Sequence, residues 1–159
     1  MLVIIDRVLK VYMTNLLSGR SRVDFIPHFM HLIYVENTGA SFGMFKKHTV
    51  ILSIITSIVI IGMMYFIVSK KSSSKLLNAA VVLITAGGMG NLYDRIANGY
   101  VVDYLEFSFV NYAVFNFADV LVNIGAVLLF VYLVFFERKK NMVLGNPVEE
   151  SEETKIDAE

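Results

Sequence analysis

The sequence contains no cysteine, which removes disulfides, thiolate nucleophiles and cysteine-based metal centres together. It carries no net charge, Lys plus Arg and Asp plus Glu each totalling 14. The basic residues stand beside apolar runs and form no stripe, so nothing supports a nucleic-acid partner. The histidines are His28, His31 and His48. His28 and His31 are three apart, but no acid completes an H-E-x-x-H arrangement, and a bare pair is an incomplete ligand set. No metal or other cofactor is expected. A cleavable leader is also unsupported, because the first charges fall inside the first apolar stretch and no small-residue cleavage site follows.

What the chain has in quantity is apolar surface. Hydrophobic residues make up 56% of it and the mean hydropathy is +0.63, against roughly 45–50% apolar for a soluble domain. The expected fold class is an α-helical integral membrane protein with four transmembrane helices and a small extracytoplasmic β-rich element between helices 1 and 2. The spans are expected at about 1–17, 49–68, 76–93 and 120–136. The first is short, since seventeen residues at ~1.5 Å each reach ~25 Å against a hydrocarbon core of ~30 Å. Small residues in the third, Ala79, Ala86, Gly87 and Gly90, suit close helix approach in lipid, where no hydrophobic drive acts between helices.

Residues 18–47 mix Gly, Pro, β-branched and aromatic residues with partial alternation, which predicts the β-rich segment. Four spans place both termini on one side. That side also holds Lys70, Lys71, Lys75, Arg138, Lys139 and Lys140, and the positive-inside tendency makes it cytoplasmic. Arg20, Arg22, Lys46, Lys47 and Arg95 stand opposite. Residues 1–140 are expected to form one membrane-embedded domain. The stretch 141–159, acidic and poor in large apolar residues, predicts a disordered cytoplasmic tail.

The chemistry concentrates between Gly87 and Asp119, in GGMGNLYDRIANGYVVDYLEFSFVNYAVFNFAD. Asp103 follows the turn-like Asn98-Gly99, and Asp119 opens the last apolar run. Carboxylates at a membrane edge are costly to desolvate and are functional candidates by default. Asn91, Asp94 and Arg95 follow Gly87 at offsets of four, seven and eight, on one helical face. They either orient a substrate or form an Asp–Arg pair that ends the helix. Asn37-Thr38-Gly39 fits a turn. Asp6 and Lys10, four apart, fit a helix-internal ion pair.

Four blocks carry a resemblance: DRVLK at Asp6–Lys10, ENTGASFGMF at Glu36–Phe45, GGMGNLYDRIANGYVVDYLEF at Gly87–Phe107 and FNFADVLVNIGA at Phe115–Ala126. In order and spacing they are similar to the lipoprotein signal peptidase family, also called signal peptidase II. The resemblance implies a four-helix membrane aspartyl endopeptidase of the bacterial cytoplasmic membrane. Its partners would be membrane lipid and diacylglyceryl-modified prolipoproteins, cut before the lipidated cysteine, and it is expected to act as a monomer. The family's catalytic aspartates fall on Asp103 and Asp119. Its substrate-binding polar residues fall on Asn37, Asn91, Arg95 and Asn116, and its structural support on Asp6, Lys10 and Asp94. Three departures stand out. Arg7 replaces a usual glutamine, Ser41 a usual second alanine, and few residues precede Asp6.

The residues support the same chemistry without the resemblance. Two carboxylates at one site cannot both ionise cheaply, so one keeps a proton. One then serves as base towards a water while the other donates a proton to the scissile carbonyl. Asp119, at a helix start where the dipole favours negative charge, takes the ionised, base-like role. The competing functions are a small transporter or proton relay, since acids in helices also mark ion pathways, and a structural membrane subunit without chemistry.

Overall fold

The computed structural model describes residues 1–39, 49–69 and 73–137, without the side chains of residues 136 and 137. Ser41, Lys46, Lys47, His48, Lys70, Lys71, the basic cluster 138–140 and the acidic tail 141–159 lie outside the described residues, as does the end of the expected β-rich segment. In chain order the elements are α1 (Leu2–Leu17), β1 (Val23–Ile26), β2 (Met30–Asn37), α2 (Thr49–Val68), α3 (Lys75–Asn98), β3 (Val101–Phe107) and α4 (Phe117–Tyr132). A π-helical turn, Leu133–Glu137, continues α4.

Among the described residues, three helical stretches are long and apolar enough to cross a membrane: Thr49–Val68, Lys75–Asn98 and Phe117–Phe135. α1 has 16 residues and carries Asp6, Arg7 and Lys10, and it is not one of these three. α2 buries only Ile60 and packs on α3. Its outward row of Ile51, Ile54, Ile55 and Ile58 is apolar surface of the kind that lipid covers.

Helix ends explain the differences from the expected spans. Ser74 starts α3, its hydroxyl accepting from Leu77 N at 3.4 Å. Gly99, at φ 82°, closes it by donating to the Arg95 carbonyl; only a residue free of a Cβ takes that conformation without strain. α3 therefore runs past the expected 93 and carries Asp94 and Arg95 inside its last turns. Asn116 caps α4, which starts at Phe117, three residues before the expected 120.

Small residues bring α3 and α4 together. A Cβ added to Gly87 would overlap the Ala118 carbonyl, and one on Gly125 would fall 2.8 Å from the Ala80 carbonyl. Ala86 is buried as expected, but Ala79 is exposed. α3 is apolar on several faces, so spacing alone did not tell which alanines face a neighbour.

β1 and β2 lie between α1 and α2, as expected, but the rest of the sheet corrects the sequence-based expectation. The sheet is antiparallel in the order β1-β2-β3, and its third strand follows α3 instead of lying between helices 1 and 2. β3 pairs with β2 through Asn37↔Val101, Val35↔Asp103 and Leu32↔Leu105. Residues 101 to 104 are all buried, and a strand covered on both faces loses the alternation that would betray it. Leu17 at the end of α1 packs with Leu32, Val102 and Tyr104, which fastens the sheet to the helices.

Candidate active site

Two chain segments, β3 and the start of α4, bring Asp103 and Asp119 to one cavity of about 260 Å³. Asn37, Asn91 and Arg95 line it as well. The local reasons for this placement lie in three asparagine amides.

Asn116 is fully buried and holds both carboxylates. Its amide nitrogen donates to Asp103 Oδ1 at 2.6 Å, while its amide oxygen accepts from Asp119 N at 3.0 Å. Asp119 Oδ2 in turn accepts from Asn116 N at 3.0 Å, completing a reciprocal cap. Asn91 donates to Asp119 Oδ1 at 2.8 Å. Asn37 donates to Asp103 Oδ2 at 2.8 Å, and its amide oxygen accepts from Gly39 N at 2.9 Å. Turn and site contact coexist in Asn37.

Behind the amides lies a buried charge cluster. Lys10 Nζ stands 3.0 Å from Asp6 Oδ2, 3.0 Å from Asp94 Oδ2 and 2.9 Å from Asn91 Oδ1. All three ammonium protons thus have acceptors. Asp6 also accepts from Ala118 N at 3.1 Å, and Asp94 from Val102 N at 3.2 Å. Each acid therefore holds the backbone of the residue just before one candidate aspartate. The Asp6–Lys10 pair expected within one helix is present, but it belongs to a network spanning α1, α3, β3 and α4.

Asp94 and Arg95 do not form the helix-ending pair considered from the sequence. Asp94 faces Lys10 and Arg7, while Arg95 lines the cavity and donates to the Gly39 carbonyl at 3.1 Å. Helical offsets of seven and eight place both near one face, yet one extra residue of rotation sends them to different neighbours.

Burial pushes the Asp103 carboxyl up to about 7, with the neighbouring Asp119 carboxylate adding to the effect. The Asn37 and Asn116 donors and the Lys10 charge act in the opposite direction. Asp103 is thus placed to hold a proton near neutrality, and the amides steady the charged form that follows. Among the described residues no group of three or more His, Cys, Asp or Glu is arranged to hold a metal ion. His31 instead lies 3.2 Å from Asp24 across the sheet.

The family model for signal peptidase (SPase) II matches residues 1–135. The chain belongs to the signal peptidase II family. Similar relatives within it include the lipoprotein signal peptidase of Fusobacterium nucleatum subsp. nucleatum, 40% identical over 142 residues, covering 89% of this chain and 86% of the relative. That of Clostridioides difficile strain 630 is 36% identical over 139 residues, covering 87% and 93%. A solved structure described as a bacterial membrane enzyme, obtained by the in meso method, superposes with a TM-score of 0.80 at 28% identity, covering 93% of this chain and 88% of the other.

Some site neighbours in this signal peptidase II chain were not singled out from sequence. Arg7 pairs with Asp94 at 3.2 Å and lies 5.0 Å from the Tyr93 ring centre. Its position beside Asp6 was visible, but its partner lies 87 positions away. The Tyr104 hydroxyl accepts from Phe117 N at 3.3 Å. Thr56, Tyr112 and Asn123 line the cavity. As single polar residues within apolar or aromatic stretches, they gave no pattern.

Proposed function

We propose that this signal peptidase II family member is a membrane aspartyl endopeptidase. It removes the signal peptide from diacylglyceryl-modified prolipoproteins by cutting before the lipidated cysteine. The observation that carries this reading is the convergence of Asp103 and Asp119 on one cavity, each carboxylate held by asparagine amides.

Asp119, ionised at the start of α4, takes a proton from water. Asp103, holding its proton near neutrality, donates it to the scissile carbonyl oxygen as the water oxygen bonds to the carbonyl carbon. The tetrahedral intermediate collapses with the roles exchanged, and the proton on Asp119 passes to the leaving amine. Arg95, Asn37, Asn91 and Asn116 surround the peptide and keep the carboxylates oriented. Asp6, Lys10 and Asp94 support them from behind.

A second cavity of about 260 Å³ shares Thr56, Asn91, Arg95, Asp119 and Val122 with the first, and adds Ile55, Val59, Ile60 and Met63. This apolar extension suits the lipid-embedded part of the substrate. In the same reading α1 serves as a fourth span, both termini are cytoplasmic and the aspartates face the extracytoplasmic boundary. Residues 1–140 act as one domain, a monomer in the bacterial cytoplasmic membrane, with the acidic tail on the cytoplasmic side.

The test is processing of a diacylglyceryl-modified precursor in cells where this chain is the sole enzyme of its kind. Mature lipoprotein should appear; an intact precursor at normal levels of the protein would reject the reading.

A further inference from the structure

Two polar side chains on the helices that wall the cavity remain without a role. Thr56 on α2 and Asn123 on α4 both line it together with Asp103 and Asp119. Most neighbouring polar side chains are satisfied within the chain, the Nε of Arg95 being an exception. Ser53 and Ser57 donate to carbonyls one turn back at 2.8 and 2.7 Å, Thr85 does so at 2.7 Å, and Asn91 and Asn116 are fully engaged. Thr56 and Asn123 make no side-chain hydrogen bond among the described residues, although both belong to helices fit to span a membrane. Thr56 is half-buried and Asn123 is exposed on its helix; in a helix that lipid would surround, an unpaired polar group is costly and marks a functional surface.

Their position narrows the ligand. Asn123 is one turn beyond Asp119, about 6 Å further along α4. Thr56 lines both the cavity and its apolar extension, so it stands where the two meet. The walls around the pair, Leu52 and Val122, are aliphatic. A ligand group here should accept hydrogen bonds, lie one helical turn from the reacting peptide bond and be attached to a hydrocarbon chain.

We propose that Asn123 and Thr56 form a polar step that binds the ester carbonyls of the glyceryl group on the substrate's lipidated cysteine. This rests on the prolipoprotein reading above. Ester carbonyls accept and cannot donate, matching an amide N–H and a hydroxyl as donors. From the cysteine Cα through sulfur and glycerol to an ester carbonyl is six bonds, a reach of roughly 6–8 Å, which equals the offset between Asp119 and Asn123. The acyl chain then continues into the apolar extension.

The experiment compares two synthetic lipopeptide precursors that differ only in whether the glyceryl chains are attached by ester or by ether. Full-length protein is assayed in lipid bicelles as wild type, Asn123→Leu, Thr56→Val, Thr56→Ser and the Asn123→Leu/Thr56→Val double variant. Leu and Val are at home in lipid-embedded helices, and melting temperatures check that folding is retained. The wild type should favour the diester. Asn123→Leu and Thr56→Val should each lower its kcat/KM roughly threefold to tenfold, as expected for one hydrogen bond, while the diether is nearly unaffected. Thr56→Ser should keep the preference, and the double variant should abolish it. Equal losses on both substrates would place these groups against the peptide and overturn the proposal, as would no loss on either. If the wild type cuts neither substrate, the peptidase reading itself fails, and the proposal falls with it.

Discussion

The Lys10 ammonium donates to the Asn91 amide oxygen at 2.9 Å, and with the Asn116 amide nitrogen at 3.1 Å it sets which way that amide faces. A lysine has only donors, so the oxygen must point to it, leaving the Asn91 nitrogen to donate to Asp119. The same ammonium holds Asp6 and Asp94, which grip the backbone before Asp119 and Asp103. With Arg7 on Asp94, two acids face two bases, and the buried cluster is neutral.

Lys10→Met should therefore leave two buried carboxylates without their central partner. The expected loss is about 3–5 kcal/mol of stability, measured as a lower melting temperature in detergent. Adding Asp6→Asn and Asp94→Asn should restore much of that stability, since neutral amides replace the unpaired charges. Activity should stay low, because the Asn91 amide oxygen then loses its charged donor and keeps only the Asn116 amide to orient it. A triple variant with normal turnover would show that Lys10 serves stability alone.

Asp103→Asn and Asp119→Asn should each abolish cleavage at normal protein level, and the double variant should be little worse than either. Groups that act as one unit show such non-additivity. Assays of precursor conversion by purified variants decide it, and substantial turnover by either single variant would falsify the aspartyl mechanism.

With its carboxyl held up at about 7, Asp103 has a folded value above the usual carboxylate range. The sign follows directly. Its contribution to stability is full at acid pH, below the ordinary value, and is lost as pH rises through about 7. Activity that needs the protonated Asp103 should fall over the same interval, seen as an alkaline limb in kcat/KM. Asn37→Leu removes a donor that favours the charged form, so this limb should move to higher pH. Movement to lower pH would contradict the assignment of Asp103 as the proton donor.

Legibility in the sequence depended on whether a residue's partner was local. The uncharged run Thr49–Val68 coincides with α2 at both ends, because lipid-facing composition is a property of the run itself. Asp103 and Asp119 were legible as interfacial acids. They were also expected at one site, but the means was not legible, since it depends on β3 pairing with a strand more than sixty residues earlier. β3 was missed because burial on both faces erased its alternation. The roles of Asp6 and Lys10 were half legible: the spacing of four gave their mutual bond, while Asp94, Asn91 and Ala118 are brought in only by tertiary packing.

A reporter fused after Lys140 should read cytoplasmic, and one inserted in the loop joining α1 to β1 should read extracytoplasmic. The lysine-rich segment and the basic end of the last helix favour this orientation. Both reporters on one side would overturn the four-span arrangement.

Gly90 offers a test of how tightly α1, α3 and α4 are joined. A Cβ at this position would overlap Asp6 Oδ2 and lie 3.3 Å from Ala118 Cβ. Asp6 cannot simply swing away, because its carboxylate is held by Lys10 and by Ala118 N. Gly90→Ala must therefore push α1 from α3 or break one of those bonds, at a cost of about 1–3 kcal/mol. Gly62 on α2 is the matched control, since a Cβ there meets nothing within 4 Å. Gly62→Ala should be neutral or stabilising by up to ~1 kcal/mol through helix propensity. Melting temperatures of the two variants in the same detergent should separate clearly, with Gly90→Ala lower and also slower in precursor cleavage. Equal melting temperatures would mean that α1 is free to move, and that Asp6 does not fix the start of α4.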